Sequence, residues 1–409
     1  MTKINVLVFE PHATGHHGPY LEWMVKGLLS NKFRLTIITS TESMNHPSVE
    51  EIERLAISDK KGNLNLISYK NPLTFIGNSN GVGALFKREF FYWKMFRKWF
   101  HENADNIKPN VVFLPYLDYC LYAIGLLGSP FNKCPWVGLA MRPSFHYQKI
   151  GVLAPQPALS TVKRLLFHRV LGNRFLRCLL SIDEPLIEYL KDKNLPLEKY
   201  AFLPEPAALS DSPDSMTAKR QLGLPEQRKL ILVYGAITVR KGVFELLKAL
   251  QRPDFPENVD VLFAGKLSDD VNDALMLPAN AELFARERLR LLNRFISKDE
   301  EPVLFSASDI IWLGYRQHYN SSGVLVQAAS AGRPVIACRE GVIGWQTKRH
   351  NLGAVVSPSD SDALIEAIYA LLDVSESSAP THRRPPDIPV VGGTFSDAIK
   401  VLGKALTGE

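Results

Sequence analysis

Short runs that are apolar at almost every position alternate along this chain with longer stretches in which apolar residues recur every three or four positions. Asn5–Phe9, Arg34–Thr39, Asn65–Tyr69, Asn110–Leu114, Trp136–Met141 and Leu179–Asp183 read as strands, with helices between most of them, the first from about His17 to Leu29. Strands without a polar face that alternate with helices predict a parallel sheet covered on both sides, the doubly wound α/β arrangement. Over Tyr200–Lys219 prolines, serines and small residues break every period, and this stretch reads as a linker. The rhythm restarts with Leu230–Tyr234, Asp260–Ala264, Ile310–Leu313, Pro334–Cys338 and Ala354–Val356. Two Rossmann-like domains are therefore expected, 1–204 and 205–393, facing each other across a cleft. A Ser- and Pro-rich tract at 376–389 reads as a surface excursion, and 394–409 as a last helix that crosses back to the first domain. Ligands of open α/β sheets bind beyond the carboxyl ends of the strands, so chemistry is sought in the loops that follow them.

Composition adds exclusions. The 409 residues are 46% hydrophobic and contain no run of about 18 apolar residues, so a spanning helix is not expected. The first residues, MTKINVLVFEP, lack the apolar stretch and cleavage site of a signal peptide. Cys120, Cys134, Cys178 and Cys338 are scattered and form no C-x-x-C pair, which fits a reduced cytoplasmic protein without disulfides or a zinc site. A net charge of +6 is too mild to indicate a nucleic-acid partner but suits anionic ligands or lipid headgroups.

Two loops carry the strongest chemical signals. In YGAITVRKGVFELLKAL, Tyr234–Leu250, a strand gives way to a loop presenting Arg240 and Lys241 just before Gly242 opens a helix. Arg can fork onto two oxygens, Lys adds a point charge, and a helix N-terminus offers free N–H groups, together the makings of a diphosphate site. A solvated basic turn would look the same. In YNSSGVLVQAASAGRPVIA, Tyr319–Ala337, residues Ser321, Ser322 and Gly323 precede an apolar helix. This is a second anion cradle or an ordinary N-cap. His12, His16 and His17 crowd the loop after the first strand, but no ligand geometry follows from that turn, and no metal is expected.

The KG that opens a helix, then ASDIIWLGY, then the A-x-x-x-G-R-P-V-I-A turn resemble the carboxyl domain of GT-B fold, nucleotide-sugar-dependent glycosyltransferases, most of all glycosyltransferase family 4. TGHHGPYLEWMVKGLL after the first strand resembles the family's glycine loop, with Gly15 allowing close backbone approach and His16 facing the cleft. The resemblance implies that Arg240 and Lys241 grip the donor diphosphate and that Ser321, Ser322 and Gly323 bind phosphate through backbone N–H. The family usually carries two glutamates eight positions apart, one at the donor sugar and one at the ribose. Tyr319 and Gln327 stand there in this chain, or Asn320 and Ala328 if the register shifts by one. A carboxylate at 327 would accept ribose hydroxyls more strongly than the amide does. The family's histidine after the strand at 136–141 is replaced by Arg142, with His146 further on and Asp118 the nearest carboxylate. Arg142 could stabilise the leaving phosphate and Asp118 orient the acceptor hydroxyl. The 293–295 segment, Asn293, Arg294 and Phe295, would lie near the nucleobase.

The implied activity is transfer of a sugar, with retention, from a nucleotide diphosphate donor to a hydroxyl of a glycan or lipid-linked acceptor. It needs no metal and no cofactor beyond the donor. The alternative is a catalytically inactive GT-B protein that binds a nucleotide sugar or acts as a scaffold, and an epimerase on the same fold ranks third. Slow donor hydrolysis without acceptor separates enzyme from scaffold.

One further pattern remains. Leu85–Phe100, LFKREFFYWKMFRKWF, places Phe86, Phe90, Trp93 and Phe100 on one helical stripe flanked by Lys87, Lys94 and Lys98. Thr161–Leu180 adds five Lys and Arg and no acid. Together 85–100 and 161–180 read either as a peripheral contact with the inner face of a membrane or as core-facing helices with a solvated side.

Overall fold

The structure, a computed structural model, describes residues 3–70, 82–193, 195–207, 212–377 and 392–408. The chain forms two compact units, Met1–Ile150 with Pro155–Pro204 and Phe395–Glu409, and Gly151–Ala154 with Glu205–Thr394.

The first unit is built on seven parallel strands: β1 (Asn5–Phe9), β2 (Arg34–Ser40), β3 (Leu64–Tyr69), β4 (Val111–Leu114), β5 (Trp136–Ala140), β6 (Leu176–Ser181) and β7 (Tyr200–Phe202). Their order is β3-β2-β1-β4-β5-β6-β7, so the sheet reverses direction of growth between β1 and β4, the place where a crevice opens in doubly wound sheets. The apolar runs form strands because helices cover both faces. Val6, Leu7, Phe9, Val111, Val112 and Leu114 are all fully buried. The helix Phe395–Thr407 packs in this unit, where Ile399 fills the space above Gly27 and Phe395 meets Trp23 with ring centroids 6.2 Å apart.

The second unit has six parallel strands: β8 (Lys229–Tyr234), β9 (Val259–Ala264), β10 (Leu289–Leu292), β11 (Ile310–Leu313), β12 (Val335–Cys338) and β13 (Gly353–Val356). The order is β10-β9-β8-β11-β12-β13, again with the reversal at the first strand.

Several expectations need correction. The strand expected at Leu179–Asp183 runs from Leu176 to Ser181. Arg177 disguised its start, because the guanidinium leaves the sheet to donate to the Leu406 carbonyl of the terminal helix. The run Thr161–Leu180 is thus not one surface. It divides into the helix Ser160–Leu171, a turn and the buried strand β6. The stretch read as a linker contains edge strand β7, and the helix Ser215–Gln221, whose first turn Asp214 caps by accepting the Thr217 N–H at 3.0 Å. Edge strand β10 was hidden in a sequence dense with arginine, where Arg290 donates to Glu287 and half-buried Arg288 to the Pro256 carbonyl. The Ser/Pro tract at 376–389 falls mostly outside the described residues.

The aromatic helix spans Val82–Ile107, and its buried face shares Trp93 and Phe100 with the expected stripe, has Phe86 packed against it, and leaves out Phe90. Tyr92, Trp93, Phe96, Trp99 and Phe100 enter the core of the first unit, with Phe96 5.5 Å from Phe9, whereas Phe90 is 42% exposed. Lys87, Lys94 and Lys98 line the water side. No helix among the described residues is long and apolar enough to cross a membrane.

Candidate active site

In the second unit the candidate groups gather where β8 and β11 end, and these strands pair directly, Ile310 with Ile231. After Tyr234 the chain makes a short turn over Val239–Lys241 and enters the helix Val243–Leu250 through Gly242, at φ +68°. A side chain at 242 would stand 2.0 Å from the Gly314 carbonyl oxygen, so only glycine lets this turn close against the exit of β11. The Arg316 N–H donates to the Arg240 carbonyl at 2.7 Å and the Trp312 indole to the Lys241 carbonyl at 2.8 Å. The turn bearing the cations is thereby fixed to the segment that leads into Tyr319–Gly323.

Arg240 and Lys241 differ in availability. The Arg240 side chain is exposed, and its guanidinium has no partner among the described residues. Lys241 donates to the Tyr234 carbonyl at 2.6 Å and to the Tyr315 hydroxyl at 2.8 Å, its ammonium 4.6 Å from the Tyr315 ring centre. Two of its three donors are committed to holding the rim.

Ser322 caps the helix Gly323–Ser330 without a side-chain bond, and the N–H groups of Leu325 and Val326 return to the Ser322 carbonyl. The N–H groups of Gly323 and Val324 have no acceptor among the described residues, which leaves the positive helix end open to an anion. Ser321 is half-buried beside it, and a Glu205 carboxylate oxygen lies 4.0 Å from where a side chain at 323 would begin. Tyr319 and Asn320 are half-buried, and the Tyr319 carbonyl accepts the Val342 N–H at 3.0 Å.

Gln327 has a neighbour that sequence reasoning missed. Its amide donates to Glu301 at 2.9 Å, and the Tyr234 hydroxyl donates to the other oxygen of the same carboxylate. Burial holds the Glu301 carboxyl above its usual range, while the bonds from Tyr234 and Gln327 oppose that. Only the adjacency of β8 to β11 brings these three residues together. Of the segment after β10, Asn293 accepts the Leu267 N–H at 3.0 Å and Arg294 pairs with Glu300, while Phe295 stands 84% exposed.

In the first unit the candidates sit at the carboxyl ends of β1, β4 and β5. Glu10, 1% exposed, accepts the Tyr119 hydroxyl at 2.6 Å and the His12 N–H at 3.2 Å, and lies 3.4 Å from His17 Nδ1. His12 meets the Tyr92 hydroxyl at 2.6 Å. Both histidines thus anchor the loop. Among the described residues no group of three or more His, Cys, Asp or Glu is arranged to hold a metal ion. Gly15 takes φ +66° in open space, and His16 stacks on His17 at 4.8 Å with one side toward water. Partial desolvation, then the neighbouring His17 and Arg142, hold the His16 imidazole down to about 4, so it is neutral at pH 7.

Asp118 accepts the N–H groups of Met141 at 2.8 Å and Arg142 at 2.9 Å, one on each oxygen. Burial raises its carboxyl above the usual range despite those bonds. Its lone pairs thus position the loop after β5 and present Arg142, whose exposed guanidinium lies 5.6 Å from the Tyr116 ring centre. His146 is wholly buried with Nε2 2.8 Å from Asp183, and so takes no part in the exposed cluster.

Two doubly wound parallel sheets, of seven and six strands, with polar loops at the carboxyl ends of both, constitute the GT-B architecture. Across 99% of the chain the fold is similar to sucrose-phosphate synthase of Thermosynechococcus elongatus, with TM-score 0.63 and 16% identity over 97% of that chain. It is similar to the same degree, TM-score 0.63 and 14% identity over 99% of each chain, to Anabaena HepE in complex with UDP and glucose. Residues 214–383, all within the second unit, match the family described as glycosyl transferases group 1. An uncharacterised glycosyltransferase of Methanocaldococcus jannaschii is 25% identical over 160 residues, 39% of this chain, and the match spans 40% of that protein's length.

Proposed function

We propose that this chain transfers a sugar from a nucleoside diphosphate sugar to a hydroxyl acceptor. One observation carries the reading: the unpartnered Arg240 and the open amides of Gly323 and Val324 lie on segments bonded to each other at the carboxyl ends of β8 and β11. A doubly charged diphosphate suits such a pairing of guanidinium and helix end. In transfer the bond from sugar C1 to the phosphate oxygen breaks, the acceptor oxygen bonds to C1, and the departing phosphate oxygen takes the acceptor proton. Arg240, the third Lys241 donor and the helix amides stabilise the charge that grows on that oxygen, so no metal is required. Retention of configuration is part of this proposal.

Glu301, steadied by Tyr234 and Gln327, is the carboxylate proposed to accept the ribose hydroxyls, with Gln327 as its support. Tyr319 and Asn320 take the sugar side. Within the first unit, Arg142 and neutral His16 are proposed for the acceptor side as a cation and a hydrogen-bond partner, with Asp118 as the residue that positions Arg142. A glycan or lipid-linked alcohol is the proposed acceptor class.

Calorimetric titration with uridine, UMP and UDP tests the phosphate cradle. Affinity should rise at each added phosphate, and equal affinity across the series would refute it. Hydrolysis of a bound nucleotide sugar in the absence of acceptor separates turnover from the alternative of a binding protein without activity, which the polar residues at 319 and 327 keep in play.

A further inference from the structure

We propose that the face formed by the helices Val82–Ile107, Leu121–Leu127 and Ser160–Leu171 of the first unit docks on an anionic lipid surface. The three helices are tied into one surface. The Glu89 carboxyl group accepts the N–H groups of Tyr122 at 2.7 Å and Ala123 at 2.9 Å, and the Trp93 indole donates to the Gly128 carbonyl at 2.8 Å. Gly125 lies so close to the third helix that a side chain there would begin 2.4 Å from the Leu166 carbonyl.

Beside these junctions large apolar side chains stand in water: Phe90 at 42% exposure, Leu126 at 56%, Leu127 at 43%, Val162 at 42% and Leu165 at 62%. Cations are interleaved with them. Lys87, Lys94 and Arg97 on the first helix and Lys163, Arg164 and Arg169 on the third have no carboxylate partner among the described residues. From Tyr119 to Ile182 the sequence contains eight Lys and Arg and not one Asp or Glu. The Lys94 ammonium lies 4.5 Å from the Phe90 ring centre, so its stem runs along apolar surface while the charge stays at the rim.

The charge pattern selects the occupant. A second copy joined by a two-fold axis would set this cationic face against itself, a repulsive arrangement. An anionic bilayer offers phosphates to the cations and an apolar layer to the leucines and Phe90 at the same time. None of these residues belongs to the groups assigned to the nucleotide sugar, so the inference stands apart from the donor reading.

The test is co-sedimentation of the full chain with phosphatidylcholine vesicles containing about one third phosphatidylglycerol, against vesicles of phosphatidylcholine alone. Wild type should pellet with the anionic vesicles at low salt and not with the neutral ones. Lys87→Glu, Lys94→Glu and Lys163→Glu together should lower partitioning by roughly a hundredfold or more, since each cation near such a surface is worth roughly fivefold. Phe90→Ser, Leu126→Ser and Leu165→Ser together should lower it at least roughly tenfold, because the apolar insertion is lost. Melting curves verify folding, and Phe90→Ser alone repeats the apolar arm if the triple variant melts early. The proposal is overturned by absence of wild type from the pellet, or by equal pelleting with neutral vesicles. Full retention by the apolar variant would also overturn it, as would a dimer in light scattering that either variant abolishes.

Discussion

Replacing Gln327 by glutamate would set a second carboxylate against Glu301. In the native structure the Gln327 amide donates to Glu301 at 2.9 Å, so the substitution exchanges an attractive bond for two like charges in the same place. With charges about 4 Å apart and an effective dielectric of about 20, the repulsion is about 4 kcal/mol. The site is partly open to water, and allowing for that leaves about 2–3 kcal/mol. The pair escapes part of this cost by sharing a proton, so one of the two carboxyls titrates well above its unfolded value. For an acid whose folded pKa is raised, the native state holds a proton that the unfolded chain has released. Stability therefore falls as pH rises from the unfolded pKa through the folded one. Gln327→Glu should melt close to wild type near pH 4.5 and fall progressively below it toward pH 8. The assay is differential scanning calorimetry across that range, with and without UDP. Glu301→Gln combined with Gln327→Glu moves the carboxylate across the contact and should recover most of the loss, a coupling that a double-mutant cycle reads directly. A Gln327→Glu protein as stable as wild type at pH 8, or one that binds UDP more tightly, would refute the argument. Tighter binding is what the sequence pattern alone implies for a glutamate at 327, so structure and sequence predict opposite signs.

The two adjacent cations should separate cleanly. Arg240→Ala, at an exposed and unpartnered guanidinium, should weaken UDP by about 1.5–3 kcal/mol in titration while leaving the melting temperature unchanged. Lys241→Ala should lower both affinity and melting temperature, because its bonds to the Tyr234 carbonyl and the Tyr315 hydroxyl are lost as well. Gly242→Ala combines a positive φ with a close approach to the Gly314 carbonyl and should destabilise the second unit by about 3 kcal/mol or more in urea unfolding. Burial pushes the Glu89 carboxyl up to about 8 from an ordinary 4.5, so wild-type stability should decline as pH rises through that window. Glu89→Gln has no proton to lose, and its advantage over wild type should grow to about 4 kcal/mol by pH 8.

By itself the sequence determined the two parallel sheets and most of their strands, because a run buried on both faces must be apolar at nearly every position. It also pointed to the loops at Arg240–Lys241 and Ser321–Gly323, since cations and small polar residues beside a helix start are local features. β7 and β10, each at one edge of its sheet, escaped that logic. β7 is only three residues long, and Arg290 interrupts the apolar run of β10. Thr161–Leu180 read as one basic segment because sequence shows charge without direction, and only the contact of Arg177 with Leu406 reveals a strand beneath it. The aromatic helix shows the same limit. Its period announced an amphipathic face, but the packing of Phe96 on Phe9 decided which face was core and left Phe90 in water. The state of each site group was decided by tertiary structure alone. Lys241 is committed to Tyr234 and Tyr315, Asp118 to two backbone amides, His146 to a buried Asp183, and Gln327 to Glu301. Each of these partners lies on a different element, brought near by strand order. The charge and availability of a side chain depend on which atoms surround it in space, and the sequence records only those beside it in the chain.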